Sequence, residues 1–244
     1  MKKKDVFLFG AGGHSLVVRD IVEAAGSRVV ALVDDAKVGE YFGLPIKPLS
    51  ELLGLPAIVT IGNAVARYHV VEMLMSQGFV FSAAKVHPVA VISPSVAIGH
   101  GSVVMAGVVI NAQATVGQHC IVNTGASIGH ECSIGDFVHI APHSTLCGNV
   151  SVGDGSWIGA GATVVQGVTI GKWCMIGAGA VVTKDIPDGS LAYGNNCKVM
   201  KKINEEILHN YAKNGGGEYS TPRNRSDSAL CLPALRINQN RYGK

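Results

Sequence analysis

His130 and Glu131 are adjacent in the chain, and an imidazole beside a carboxylate is a recurrent way to build a general base. The carboxylate stabilises the protonated ring, so such a histidine accepts a proton more readily from an attacking nucleophile. Gly148 follows eighteen residues after His130. A backbone N–H with no side chain in front of it can donate to a carbonyl oxygen as that oxygen gains negative charge. Base and oxyanion donor together suit acyl transfer. Exposed histidines on turns are commonly idle, and this one has company in His100, His119, His139 and His143. No spacing among the five, taken with nearby acids or cysteines, converges on one spot as zinc requires, so no metal is expected.

A second group of residues lies near the start. Val6 to Phe9 reads as a buried strand and runs into Gly10-Ala11-Gly12-Gly13-His14-Ser15, after which an amphipathic helix extends to about Ala25. A strand from Val29 to Val33 ends in Asp34-Asp35, and one from Ala57 to Ile61 ends in Gly62-Asn63, ahead of a helical stretch containing Arg67. This alternation predicts a small doubly wound domain, whose ligands sit beyond the carboxyl ends of the strands. Asp34 and Asp35 stand 24 and 25 residues after Gly10, near where an acid meets a ribose hydroxyl. Ser15 replaces the third glycine of the dinucleotide fingerprint. Alone, the glycines would serve a tight turn equally well, and the acids a solvated loop. The short sheet fits a mononucleotide better than a dinucleotide, and the long loop from Ala36 to Pro56 is expected to bracket the pocket.

The element that must position His130 is longer. From Val86 to Val182 an aliphatic residue returns at every sixth position without a miss. Neither the helical period of 3.6 nor the strand period of 2 explains this; a coil with sides of six residues does. Compact residues recur four positions after the anchors, as at Ala114, Cys120, Ala126 and Cys132, giving a narrow prism one large and one small inward residue per side. Glycine often follows the anchor directly, as at Gly99, Gly117, Gly129 and Gly135, where a chain turning between flat sides is expected to need positive φ. Three sides close a coil of eighteen residues, and coils stack as parallel strands ~4.8 Å apart. His130 and Gly148 are then one coil apart on the same side. His139, nine residues from His130, falls on a different side, about 20 Å away at ~3.3 Å per residue.

Of the 244 residues, 48% are hydrophobic and 15% charged, which describes a folded protein rather than a disordered one. A net charge of +3, with no basic run or aromatic platform on the solenoid, argues against nucleic acid. Met1-Lys2-Lys3-Lys4 begins like a signal peptide, but Asp5 follows and the apolar run is only Val6 to Phe9; no stretch is long enough to span a membrane. Cys120, Cys132 and Cys174 occupy small inward positions and no CxxC occurs, so the cysteines read as reduced packing residues and the location as cytoplasmic. The expected division is a nucleotide-binding domain over 1–84, a solenoid over 85–200 and a tail over 201–244. Lys184 to Gly189 is expected to close the rod, Lys201 to Tyr211 to form a short helix, and the Gly/Ser/Arg/Asn-rich remainder to be mobile.

With Asn123-Thr124, Ile128-Gly129-His130-Glu131-Cys132, His139 and Gly148-Asn149-Val150, the chain resembles the hexapeptide-repeat acetyltransferases of the sialic acid O-acetyltransferase type. It is most similar to their branch that N-acetylates nucleotide-activated amino sugars of the bacillosamine kind. The resemblance covers roughly Asp5 to Met200. It implies an α/β Rossmann-like domain followed by an all-β left-handed parallel β-helix, a homotrimer, and acetyl-CoA lying along the rod between subunits. It further implies His130 as base, Glu131 as its partner, and Asn123, His139, Gly148, Ala160 and Ala178 along the CoA. Gly12, Gly13, His14, Asp34, Asp35, Gly62, Asn63 and Arg67 match positions that hold the nucleotide sugar. The family's Gly-Val-Pro-Ala near the rod's end is Gly194-Asn195-Asn196-Cys197 here, and the tail is longer than usual. The expected activity is therefore acetyl transfer from acetyl-CoA to the amine of a UDP-, GDP- or dTDP-linked amino-deoxy sugar. Two alternatives stand beside it: O-acetylation of a free sugar such as sialic acid, which needs no nucleotide pocket, and a non-catalytic nucleotide-sugar-binding scaffold, which has little use for a His-Glu pair under a glycine N–H.

Overall fold

The computed structural model describes residues 4–203. Every sixth-position anchor takes the second place in a two-residue strand, from Lys85–Val86 to Val181–Val182. Each strand pairs in parallel with the one eighteen residues on, as Ile121 with His139, His139 with Trp157, and Trp157 with Met175. Three sheets of eight, six and five strands result, the sides of a left-handed β-helix. The anchors and the compact residues between them fill its interior. Where the inward residue is serine, its hydroxyl is used: Ser102 Oγ donates to the Gly117 carbonyl and accepts from Cys120 N, both at 2.8 Å. The five described cysteines are unpaired, and Cys120, Cys132 and Cys174 are buried packing residues.

The glycines that follow the anchors have a different purpose from the one expected. Positive φ falls two residues later, at Gly101, Gly125, Gly155 and Gly161, and also at Gln113, His119, Glu131, Phe137, His143, Asn149 and Trp173. Gly99, Gly117, Gly129 and Gly135 lack it; instead they lie where the next coil presses closest. A Cβ on Gly129 would stand 2.6 Å from the Cys147 carbonyl carbon and 2.7 Å from Gly148 N. Coil stacking, not turning, requires glycine there. Lys184 to Gly189 does not close the rod either: Ile186 bridges Ile170, and the stack continues through Ser190–Tyr193 to an antiparallel strand, Lys198–Lys202. The helix expected from Lys201 thus begins inside a strand; the rest of that segment and the tail lie outside the described residues.

The first domain comprises β1 (Lys4–Phe9), α1 (Gly13–Ala24), β2 (Ser27–Val33), β3 (Gly39–Tyr41), β4 (Leu44–Ile46), β5 (Ala57–Val59) and α2 (Ala64–Ser76). The sheet order is β3-β4-β2-β1-β5, parallel except for β3-β4. Both faces of β1 are covered, one by α1 and the other by α2, which is why Val6 to Phe9 is apolar without alternation. The stretch read as a loop holds the β3–β4 hairpin. Its two turn residues, Phe42 and Gly43, both have positive φ (48° and 78°), the conformation a tight hairpin needs, and the Phe-Gly pair hides that signal.

The domain docks on the eight-stranded side of the rod. Outward-facing Val103 and Ile121, with Met105, join one cluster with Val18, Ile21 and Val22 of α1. At ~1.5–3 kcal/mol for each fully buried aliphatic side chain, this contact is substantial. Beside it an aromatic column climbs the edge between the five- and eight-stranded sides: Phe81 against His119, His119 against Phe137, Phe137 against Tyr68, and Tyr68 against Trp173.

Candidate active site

His130 and Glu131 occupy the turn after strand Ser127–Ile128, on the edge between the six- and five-stranded sides. Glu131 has φ of 60°, which swings its carboxylate back to His130 Nδ1 at 2.9 Å. With Nδ1 so engaged, Nε2 is the nitrogen left to face a substrate. It lies over Gly148: a Cβ there would stand 2.6 Å from both Nε2 and Cε1 of the ring. Only glycine leaves room for this histidine. The Gly148 carbonyl accepts from Gly167 N at 3.0 Å, while its N–H has no acceptor among the described residues. Both side chains of the His130–Glu131 pair are 64% exposed on a single protomer.

Asn123 and His139 form a second pair, Nδ2 to Nε2 at 3.2 Å, on the eight-stranded side, which is opposite the edge carrying His130. His139 is 6% exposed, packed 4.2 Å from the Trp157 ring and covered by the first domain. Burial foremost, then Arg67 and His14, push its pKa down to about 3, so it is neutral. Trp157 carries no signal of its own in the sequence, although the eighteen-residue register places it directly above His139. Ala160 and Ala178 are exposed on the edge between the eight- and six-stranded sides. Among the residues expected along a CoA, Gly148 therefore sits on one edge and Ala160 and Ala178 on another.

In the first domain the glycines divide by physical cause. Gly10 has φ of 111° and lies against Thr60, so the fold itself demands it. Gly12, Gly13 and Gly62 have ordinary φ, and a Cβ added to any of them would meet nothing within 4 Å, so nothing in the protein demands them. Their smallness opens the mouth of the sheet, as close approach of a ligand to the backbone would need. Asp34 lies there, but its carboxylate already accepts from Ala11 N at 2.8 Å and from Ala36 N and Lys37 N at 3.0 Å; it shapes the glycine turn. Asp35 is the exposed acid beside it. Lys37, unremarked in the sequence, donates to the Ala11 carbonyl and covers the Tyr41 ring at 4.2 Å. Asn63 caps α2 through Ala66 N at 2.9 Å. His14 has its Nε2 sealed from solvent without a hydrogen-bond partner among the described residues, and burial, then Arg67, lower its pKa to about 4.

Arg67 does not join this pocket as a ligand. It is 0% exposed, and its guanidinium donates to the carbonyls of His119, Ile61, Gly62 and Phe137 at 2.8, 2.8, 2.9 and 2.6 Å. Sequence position put it beside the strand ends, but α2 turns its side chain inward to the rod. Among the described residues no group of three His, Cys, Asp or Glu side chains is arranged to hold a metal, and no helix is long and apolar enough to cross a membrane.

Comparison with known proteins accounts for both halves. Residues 5–74 match the PglD N-terminal domain, residues 89–112 the hexapeptide repeat of succinyl-transferase, and residues 106–213 the GMPPB C-terminal domain. The acetyltransferase domain of PglB from Neisseria gonorrhoeae is 37% identical, with a TM-score of 0.76 over 81% of this chain and 100% of that one. The chain belongs to the hexapeptide-repeat sugar acetyltransferases. A variant of perosamine N-acetyltransferase from Caulobacter crescentus, solved with CoA and GDP-perosamine, is 39% identical with a TM-score of 0.77, covering 81% of this chain and 97% of that one. UDP-N-acetylbacillosamine N-acetyltransferase from Bacillus subtilis is 38% identical over 113 residues, 42% of this chain; the match spans about half (52%) of that relative's length. The match over residues 5–74 falls on the Rossmann-like first domain, and the matches over 89–112 and 106–213 fall on the hexapeptide rod on which it is docked.

Proposed function

We propose that this chain transfers an acetyl group from acetyl-CoA to the amine of a nucleotide-linked amino-deoxy sugar. The observation that carries the proposal is the seating of His130, backed by Glu131, over the side-chain-free backbone of Gly148. The sugar amine attacks the thioester carbonyl, and Nε2 of His130 takes the proton the amine loses. The Gly148 N–H steadies the oxyanion. When the tetrahedral intermediate collapses, the C–S bond breaks and the proton on His130 passes to the departing thiolate, leaving amide, free thiol and the base restored. The open glycines of the first domain support a nucleotide-linked acceptor over a free sugar. So do the relatives, since one is bound to CoA and GDP-perosamine and another is named for UDP-N-acetylbacillosamine.

The working form is a homotrimer in the cytoplasm. His130 stands on the edge opposite the side that carries His139, and Gly148 lies on a different edge from Ala160 and Ala178. One CoA can touch all of them only where two rods meet, with His130 and Glu131 from one protomer facing the half-buried Asn123 that bonds His139 on its neighbour. Such an interface would also enclose the exposed His130–Glu131 pair. The test is thiol release from acetyl-CoA with a panel of UDP-, GDP- and dTDP-linked amino sugars, followed by hydroxylamine treatment of the product. A resistant amide is expected. A hydroxylamine-labile ester would make the enzyme an O-acetyltransferase, and no thiol release with any sugar would sink the reading.

A further inference from the structure

Arg67 is a fully buried cation with no carboxylate partner among the described residues. Such a group is costly to desolvate, and well-packed apolar residues commonly replace buried charges without loss of stability. The apolar contact of Val103, Met105 and Ile121 with α1 already supplies attraction between the domains. That attraction is non-directional: it holds the domains together without fixing their register. The guanidinium adds direction. Nε and Nη2 donate to the carbonyls of His119 and Phe137, one coil apart on the same edge of the rod, and Nη1 donates to Ile61 and Gly62 at the end of β5. Gly62 opens the nucleotide pocket, and its carbonyl lies near the ring of His139. One planar group thus joins the pocket's wall to two successive coils.

We propose that Arg67 is a positioning residue, holding the Gly62 end of the nucleotide pocket in one register against the rod so that the bound sugar's amine reaches the acetyl site. The proposal rests on the functional reading above and assigns Arg67 no contact with substrate. The same charge, second to burial, helps keep His14 and His139 neutral on either side of this joint. Lysine cannot take over, because one ammonium cannot bond carbonyls on both sides of the fork.

The experiment compares Arg67→Met and Arg67→Lys with the parent in the full chain. Both variants are expected to fold, to bind UDP or GDP alone and acetyl-CoA as the parent does, and to keep the KM for acetyl-CoA. Their kcat on the nucleotide amino sugar should fall ~10- to 100-fold, the scale of a misplaced reactant. Hydrogen exchange at the Gly62 to Ala66 amides should quicken, while Val103 and Ile121 stay protected. Unchanged kcat overturns the proposal. Weaker nucleotide binding with kcat intact makes Arg67 a ligand, and failure of both variants to fold makes it structural only; either result also overturns it. If the parent acetylates none of the sugars, the functional reading fails separately, and the exchange pattern still decides whether Arg67 holds the joint.

Discussion

His130 and Glu131 are close by virtue of adjacency, but the useful geometry comes from Glu131 occupying a left-handed turn position, where its carboxylate reaches Nδ1 at 2.9 Å. In the proposed mechanism the base acts on the acceptor, not on the thioester. His130→Ala should therefore retain acetyl-CoA binding by calorimetry while thiol release falls by ~10²- to 10⁴-fold, the usual contribution of a general base. Unimpaired thiol release would remove His130 from the mechanism. Arg67 teaches the opposite lesson at the same scale: a residue at a strand end, of the type that binds phosphate, is buried and donates four hydrogen bonds to backbone carbonyls.

The repeat element contains two kinds of glycine, and the same substitution separates them. At Gly129 an added methyl would meet the backbone of Cys147 at 2.6 Å, and two stacked coils cannot part locally. Gly129→Ala should lose roughly 1–3 kcal/mol in urea denaturation, as overpacking generally does. At Gly148 the three atoms nearest the methyl all belong to the His130 ring, on a side chain that is 64% exposed and free to swing. Gly148→Ala should melt within a degree or two of the parent, since surface changes usually stay within ±0.5 kcal/mol, yet lose transfer because the base is displaced. Equal thermal loss in the two variants would show that His130 is not seated over Gly148.

Two expectations belong to the whole molecule. His119 and His139 are buried where the first domain meets the rod, facing Arg67, His14 and His100, and burial above all pushes each pKa down to about 3. Above pH 6.5 neither the folded nor the unfolded chain protonates them, and they leave stability unchanged. Below it the unfolded chain takes up protons that the folded chain refuses until about pH 3, so stability falls as pH drops through this window. Each histidine contributes a slope of ~1.4 kcal/mol per pH unit. Urea melts between pH 6.5 and 5 should show this decline, and His119→Phe should make it shallower; an unchanged slope in that variant would acquit His119. For assembly, inactive His130→Ala and His139→Ala chains refolded together should regain activity, because some interfaces would join one intact histidine from each. Mixed trimers no better than their parents, or a fully active monomer by light scattering, would rule out a shared site.

The sixfold repeat determined the rod by itself: an aliphatic anchor at a fixed interval leaves one way to bury a stripe, and the eighteen-residue register that places Gly148 under His130 follows from it. The first domain's strand–turn–helix order was legible for the same reason, since runs of apolar residues must be covered on both faces. Adjacency along the chain said nothing about what approaches from outside it. That the anchor-following glycines serve stacking, that Phe42-Gly43 turns a hairpin and that Trp157 lies against His139 depend on contacts between separate coils and strands. The role of Arg67 depends on docking of one domain upon the other, a packing of two surfaces that no local pattern encodes. Glycine, arginine and histidine all read as site residues in a sequence; only the tertiary structure decided which were enclosed by the protein and which were left open to a ligand.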